Sequence, residues 1–456
     1  MTFPKDFLWG AASSAYQIEG WSTADGGGVS IWDTFSHTPG KVAYGDNGDI
    51  ACDSYHRYDE DVALLKEMGA KAYRFSTSWA RIDPKGDGNW NEAGLAYYDN
   101  LVNLCLEKGI IPYMTLYHWE LPQALEDRGG WRVRETAEAF GRFSGMMAAH
   151  FKGRVKHYFT LNEPQCSTSL GYQQGLHAPG LKLERPEVFR VLVNQMIAHG
   201  LSQRAIKAVD PDAIVGLAST GNLCYPATET PENIEAAREA TFSTAEDFWV
   251  FTHHWLLDPI CLGRFPEGTF LEPLAQTVTA EEMAIIHTVP DMLGYNIYNG
   301  HEVRAGAEGT EFVPKYPGYP RTGLKWPVTP EVLDWGVRFL QERYGLPGFI
   351  TENGLSCNDK IYLDGKVHDL DRIDFLSRYL NCLNRAIEHG ADIRGYFHWS
   401  LTDNFEWHSG YGDRFGLVFM DYSTQNRIPK DSFHWYKNVI RTGSPAYCVS
   451  VQIDCE

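Results

Sequence analysis

The sequence predicts an α/β fold in which eight parallel strands close into one barrel, with helices around it and long loops at one end. Three observations lead to this prediction: eight short strand patterns, helical patterns between them, and 456 residues without a linker-like break in composition. Strand–helix alternation is typical of a parallel sheet, and eight such units are what a closed barrel needs. We therefore expect one domain over residues 1–456, a (β/α)8 TIM barrel with long βα loops.

The strand candidates are short runs rich in apolar, β-branched or aromatic residues, set between helical or turn-forming segments. They are, in chain order, Phe7–Ala11, Ala72–Trp79, Ile111–Trp119, His157–Asn162, Ala213–Ser219, Met292–Tyr298, Gly348–Glu352 and Ile393–Trp399.

Two helices are well signalled between the first three strands. Tyr58–Met68 has acids near its start, apolar residues on one helical stripe and Gly69 at its end. Asn91–Lys108 repeats this pattern and is followed by Gly109. Both segments are predicted to return the chain from one strand to the next.

Three long loops are expected to form the walls of a deep pocket, because loops after strand ends carry the function of a barrel. They are Gly20–Asp53, rich in Gly, Asp and Ser; Asn299–Pro330, rich in Gly, Pro and Tyr; and Ser400–Pro429, rich in aromatic and acidic residues.

Composition excludes several classes of protein. A formal net charge of −19 disfavours nucleic acids, anionic membranes and phosphorylated substrates as partners. No apolar run approaches the roughly 20 residues that span a bilayer, and the N-terminus has no pattern of a secretory signal. The nine cysteines form no C-x-x-C pair, so we expect reduced thiols and a cytoplasmic location.

Two glutamates occupy matching positions at strand ends. Glu163 lies in Asn162-Glu-Pro164 after the fourth strand, and Glu352 lies in Thr351-Glu-Asn-Gly354 at the end of the seventh. Two carboxyl groups with unequal pKa values can protonate a departing oxygen and stabilise or attack an oxocarbenium-like carbon. One such glutamate is as often structural as functional, but two in matching contexts favour cleavage of a glycosidic bond.

These motifs, with Phe7-Leu-Trp-Gly-Ala-Ala-Ser-Ser-Ala-Tyr-Gln-Ile-Glu-Gly20 near the start and Phe433-His-Trp-Tyr436 near the end, resemble glycoside hydrolase family 1 β-glycosidases over nearly the whole chain. The resemblance implies that Glu163 is the general acid/base, that Glu352 is the nucleophile, and that the reaction is a retaining double displacement. It implies no cofactor and no metal.

The resemblance also assigns supporting residues. Arg74 would keep Glu352 ionised and Tyr298 would donate a hydrogen bond to it, while a negative neighbour would raise the pKa of Glu163. Glu406 would bind two sugar hydroxyls, including the one on C6, which favours an unphosphorylated glycone. The full set of expected sugar-binding residues is Gln17, His118, Trp119, Asn162, Asn296, Trp399, Glu406, Trp407 and Phe415.

The leaving-group side departs from the family pattern. Gln165 follows Asn-Glu-Pro where the family commonly has Trp, so we expect it to open or polarise this side and to favour water-soluble acceptors, including sugars for transglycosylation. Trp326 is expected to provide an aglycone platform. The resemblance then implies an exo-acting β-glucosidase for short oligosaccharides and aryl or alkyl glycosides, with β-fucosyl and β-galactosyl groups as further glycones.

Three other functions stay open at this point. A 6-phospho-β-glycosidase is the nearest one, a sugar-binding barrel without catalysis is the second, and a metallohydrolase built on His118 and the two glutamates is the third. Simpler interpretations apply to other residues: Cys166 is expected to be a buried thiol, and His253 and His254 are expected to be structural.

Overall fold

The computed structural model describes residues 2–446, and its centre is a closed barrel of eight parallel strands. Each strand pairs with its neighbours in chain order, and β8 closes the barrel against β1. The strands are β1 (Leu8–Ala12), β2 (Ala72–Ser76), β3 (Ile111–Tyr117), β4 (His157–Asn162), β5 (Ile214–Ser219), β6 (Met292–Asn296), β7 (Gly348–Asn353) and β8 (Ile393–Trp399).

All eight predicted strands are therefore confirmed, with differences only at their ends. The largest concerns the second strand, which was predicted to reach Trp79 but ends at Ser76. The reason is local, because the Ser78 hydroxyl accepts a hydrogen bond from the Arg81 amide at 3.2 Å and thereby starts a helical turn.

Helices lie between the strands and around the barrel. The longer ones are Ser54–Met68, Glu92–Glu107, Arg134–Phe151, Arg185–Val209, Pro231–Thr241, Ala280–Ile286, Val332–Tyr344, Leu370–Glu388 and Asp431–Thr442. Shorter α-helical pieces are Ala15–Ile18, Ile31–Ser36, Trp79–Ile82, Gln123–Glu126, Pro164–Cys166, His253–Leu257 and Glu272–Ala275.

The first predicted helix begins earlier than its apolar stripe indicates. It starts at Ser54, but Arg57 has non-helical dihedrals (φ −123°, ψ 24°), so its regular part coincides with the predicted Tyr58–Met68. Gly69 ends it as expected, with a φ of 84° that a residue without a side chain adopts easily.

The long loops contain small elements that composition did not indicate. A three-stranded sheet is formed by Cys224–Pro226, His301–Gly306 and Gly309–Phe312, and an antiparallel pair is formed by Val418–Asp421 and Asn426–Pro429. Two of the predicted loops are thus partly ordered as strands.

The barrel interior is a packed apolar core rather than a pore. Tyr113, Phe159, Met292, Phe349 and Phe397 fill it and contact each other. Because the interior is closed by these side chains, polar residues at the carboxyl ends of the strands can form a pocket with a solid floor.

Two sequence expectations concern the whole chain. Among residues 2–446, no helix is long and apolar enough to cross a membrane. The seven cysteines in the same range are all free, as the composition predicted; Cys448 and Cys455 lie outside it.

Candidate active site

Five polar side chains from four strands converge at the carboxyl-terminal mouth of the barrel. Each is almost fully buried, although all are charged or strongly polar. They are Arg74 on β2, Asn162 at the end of β4, Glu163 directly after it, Asn296 at the end of β6 and Glu352 on β7.

Glu352 is held by two strong donors. Its Oε1 accepts from Nη1 of Arg74 at 2.7 Å, and its Oε2 accepts from the Tyr298 hydroxyl at 2.7 Å. The same Nη1 also donates to the carbonyl of Thr351 at 3.1 Å, which fixes the guanidinium. Burial raises the pKa of Glu352, which is 4% exposed, and Arg74 opposes that rise most strongly. Arg74 and Tyr298 therefore stabilise the carboxylate form of Glu352 against the effect of burial.

Glu163 has weaker support for a charge. It follows β4 in the left-handed region (φ 44°), and its amide donates to the carbonyl of Ala218 at 2.8 Å. Its Oε1 accepts one bond, from Nδ2 of Asn296 at 2.8 Å. Burial and, next, the negative charge of Glu352 together raise the pKa of Glu163 to about 7, against smaller opposing effects from Cys166 and Asn296. This carboxyl retains its proton close to neutral pH.

Asn162 connects both halves of the site. Its Oδ1 accepts from Nη2 of Arg74 at 2.6 Å and from Nδ2 of Asn296 at 3.0 Å, while its Nδ2 faces Nε2 of His118 at 3.0 Å. The Thr351 hydroxyl donates to Oδ1 of Asn296 at 2.6 Å and fixes that amide as well. The side-chain orientations are thus determined by a continuous network.

Among the residues that the structure describes, His118 has one ring nitrogen that is paired and one that is not. Burial and the charge of Arg74 lower its pKa, so the ring is neutral. Because Nε2 accepts from Asn162, the proton lies on Nδ1. Within residues 2–446 that buried nitrogen has no partner.

Aromatic rings form the walls beside these polar groups. His118 stacks on Trp399, with ring centroids 5.6 Å apart, and Trp119 contacts Trp407 at 4.5 Å. Nε1 of Trp119 donates to the carbonyl of Asn162 at 2.9 Å, so this indole is fixed by the strand end itself. Flat rings held in this way suit the apolar faces of a sugar.

A second aromatic group lies beside Tyr298. Trp326 contacts Tyr298 with ring centroids 5.2 Å apart and Phe415 at 6.2 Å. Trp326 is half-buried, so part of its ring is open to a bound group.

Glu406 presents an unused oxygen. Within the described part of the chain, its buried Oε2 has no hydrogen-bond partner. Burial raises the pKa of this carboxyl well above its usual value, and the charge of Asp413 is the next largest cause. The half-buried Asp413 lies in the same loop, and its Oδ1 faces Gly323, in the loop that also carries Trp326.

Gln165 and Gln17 were expected at the site, and both donate hydrogen bonds to other side chains of the protein. Gln165 is 0% exposed, and its Nε2 donates to the Ser219 hydroxyl at 2.8 Å. The helical turn that begins at Pro164 directs this side chain toward β5, so the expectation that Gln165 opens the leaving-group side is wrong. Gln17 is also fully buried and donates to Oδ1 of Asn404 at 3.0 Å, which supports the loop of Glu406 from below.

Residues outside the pocket follow their simpler interpretations. Cys166 is buried, and burial with the charge of Glu163 raises the pKa of its thiol, so it is no thiolate nucleophile. His253 and His254 are buried and bond to the hydroxyls of Ser219 and Thr244, each at 2.9 Å.

Sequence patterns missed three residues that the structure brings to the site. Thr351 directly precedes Glu352 and Asp413 lies in the predicted loop Ser400–Pro429, so the position of each in the sequence could have indicated the site. His177, which contacts the ring of Trp407, follows β4 by many residues, and no local pattern marks it. No three His, Cys, Asp or Glu side chains within residues 2–446 are grouped so that they could hold a metal ion.

Comparisons with known proteins agree with this geometry. The model of glycosyl hydrolase family 1 matches residues 1–444. β-Glucosidase A of Thermotoga maritima is 41% identical over 450 residues, which cover 96% of this chain and 98% of that protein. An aryl-phospho-β-D-glucosidase of Bacillus subtilis is 39% identical and covers 97% of this chain and 98% of its own.

The fold agrees as well. The solved structure of the Thermotoga maritima β-glucosidase in complex with deoxynojirimycin matches with a TM-score of 0.88 and 41% identity, over 97% of this chain and 99% of that one.

Proposed function

Since this chain belongs to glycosyl hydrolase family 1, we propose that it is a retaining, exo-acting β-glucosidase. Its substrates are short oligosaccharides and aryl or alkyl glycosides with a terminal β-D-glucosyl group, and β-fucosyl and β-galactosyl groups are further glycones. The observation that carries this proposal is the unequal environment of the two buried glutamates: two strong donors on Glu352 and a pKa of about 7 for Glu163.

The reaction follows from that inequality. Glu163 donates its proton to the departing glycosidic oxygen while Glu352 attacks the anomeric carbon and forms a glycosyl ester. Glu163, now a carboxylate, then removes a proton from water, which attacks the same carbon and releases the sugar with retained configuration. Arg74 and Tyr298 hold the attacking oxygens in place.

The glycone pocket contains a hydrogen-bond donor and an acceptor for the hydroxyls of glucose, and aromatic rings for its apolar faces. Within the described residues 2–446, Nδ1 of His118 is a buried donor and Oε2 of Glu406 a buried acceptor, and neither has a partner. A buried polar atom without a partner costs about 1–3 kcal/mol. Sugar hydroxyls that pair with both atoms therefore gain affinity, while Trp399 and Trp407 contact the apolar faces of the ring.

A 6-phospho-β-glycosidase is the second candidate function, because one relative carries that name. The charge at the expected C6 end of the pocket opposes it. The negative charge of Asp413 already raises the pKa of Glu406, and it would repel a phosphate at the same place. We therefore propose an unphosphorylated sugar, rather than a 6-phosphorylated one, as the preferred glycone.

The glycone preference can be measured directly. We expect kcat/KM for p-nitrophenyl β-D-glucoside to exceed that for its 6-phosphate by roughly 100-fold or more, because the acidic pair Glu406 and Asp413 opposes a dianionic phosphate. Asp413→Asn should reduce the ratio of the two kcat/KM values. Asp212 is an exposed acid just before β5, so Asp212→Asn should leave that ratio unchanged. A preference of the wild-type enzyme for the phosphate would overturn the assignment.

The pH profile tests the proton on Glu163. Activity needs the protonated form, which predominates below a pKa of about 7 and is lost as the pH rises through that value. We expect the alkaline limb of kcat/KM near pH 7 for cellobiose. With 2,4-dinitrophenyl β-D-glucoside, whose leaving group needs no proton, this limb should flatten. If kcat/KM fell with the same pKa and to the same extent for both substrates, Glu163 would not be the proton donor.

The two remaining candidate functions lack such support. A sugar-binding barrel without catalysis has no need for Arg74, Tyr298 and Asn296 to be aimed at the two carboxyls. A metallohydrolase would need grouped ligands, and no three His, Cys, Asp or Glu side chains within residues 2–446 are close enough together to hold a metal ion.

A further inference from the structure

We propose that His408 is a positioning residue, which fastens the loop carrying Glu406 and Trp407 to the loop that follows β4. We call residues 163–184 loop 4 and residues 400–417 loop 8. The link is a hydrogen bond between Nε2 of His177 in loop 4 and Nδ1 of His408 in loop 8, at 2.9 Å. This inference rests on the proposed function, since it assumes that loop 8 binds the sugar.

His177 provides a fixed anchor. It is 5% exposed, and its ring lies against those of Trp32, Trp119 and Trp407, with centroid distances of 5.3, 5.6 and 6.3 Å. A ring packed against three indoles has little freedom to move. The exposed ring of His408 contacts this anchor from loop 8.

Loop 8 needs such an anchor because its turn is strained. Trp407 has a φ of 51°, in the left-handed region that bulky side chains avoid. The turn is closed by its own backbone, from the Glu406 amide to the Gly410 carbonyl at 2.7 Å and from the Gly410 amide to the Trp407 carbonyl at 3.1 Å. Those backbone bonds fix the shape of the turn, whereas the hydrogen bond between His177 and His408 fixes the position of the turn against loop 4.

The direction of the hydrogen bond follows from burial. Nδ1 of His177 is buried and has no partner in the described part of the chain. An unpaired N–H at that place would be costly, so the proton lies on Nε2 and is donated to Nδ1 of His408. Burial also lowers the pKa of His177 to about 3, so this ring is neutral. His408 must therefore offer an acceptor at Nδ1.

Loss of the His177–His408 bond should weaken binding of the sugar more than it slows cleavage of the glycosidic bond. Oε2 of Glu406 and the ring of Trp407 directly precede His408 and move with the turn. Glu352 lies on β7, and Glu163 is fixed by its own bonds to Ala218 and Asn296. Release of loop 8 would thus weaken the hold on the glycone and leave the reacting carboxyls in place.

Two substitutions at one position separate the hydrogen bond from the ring. In His408→Asn the amide oxygen occupies the place of Nδ1 and still accepts, whereas His408→Leu removes the acceptor. For His408→Leu we expect KM for p-nitrophenyl β-D-glucoside and Ki for deoxynojirimycin to rise roughly three- to tenfold, the range that one neutral hydrogen bond contributes. The change in kcat should be smaller. His408→Asn should stay within about twofold of wild type by the same reasoning.

His434→Leu, at an exposed histidine of helix Asp431–Thr442, is the matched control and should change neither constant. Equal effects of Leu and Asn at position 408, or a loss confined to kcat, would overturn the positioning role. An inactive wild-type enzyme would instead count against the proposed function, so the two failures are distinguishable.

Discussion

Glu352→Ala is expected to lower kcat for β-glucosides by about 100,000-fold, since removal of a nucleophile leaves only binding and positioning to accelerate the reaction. The geometry predicts that this loss is not a folding effect, because Arg74 and Tyr298 retain other partners or solvent access. Thermal unfolding of the variant should therefore remain cooperative. Wild-type enzyme treated with a 2-deoxy-2-fluoro-β-glucoside should carry its covalent label on Glu352, as peptide mass spectrometry can determine.

Azide gives this prediction a stereochemical readout. In Glu352→Ala the small anion can occupy the space of the lost carboxylate and attack from the α face, so the product should be the α-glucosyl azide. Glu267→Ala, at an exposed glutamate, should behave as wild type and give no azide product of that configuration. A β-azide from the Glu352 variant would reverse the assigned roles.

Glu163→Ala is expected to show a loss that depends on the leaving group. Cellobiose needs a proton on its departing oxygen, so kcat/KM should fall by about 10,000-fold or more. A 2,4-dinitrophenyl glucoside leaves without that proton, so its first step should change little and the glycosyl ester should accumulate. A burst of dinitrophenol followed by slow turnover is the expected signature.

Azide again distinguishes the roles, with the opposite configuration. In Glu163→Ala it attacks the glycosyl ester from the face that water normally uses, which gives the β-glucosyl azide and speeds turnover. Equal losses for cellobiose and the dinitrophenyl glucoside would show that Glu163 is not the proton donor.

The sequence predicted the barrel well because its signals are local. Each strand is a short apolar run, and the motifs at Glu163 and Glu352 place a carboxyl directly at a strand end. The end of β2 was missed because Ser78 acts through one hydrogen bond that a propensity pattern does not reveal.

Sequence patterns could not predict contacts between segments that are far apart along the chain. His177 and His408 are 231 residues apart along the chain and meet only because two loops fold over the same mouth. Gln165 was assigned to the wrong side for a related reason: its direction depends on the turn at Pro164 and on a hydroxyl of β5, neither of which is visible from its position in the chain.

The charge of Glu352 contributes to the raised pKa of Glu163, and this has a kinetic meaning within the proposed mechanism. Once Glu352 becomes an ester, its negative charge is gone and that part of the rise disappears. The pKa of Glu163 then drops at the moment when the residue must stop giving protons and start taking them. Burial, the larger cause of the raised pKa, acts in both states, whereas the repulsion acts only in the resting enzyme. Its loss therefore favours proton donation by Glu163 before the ester forms and proton uptake afterwards, without any movement of the backbone.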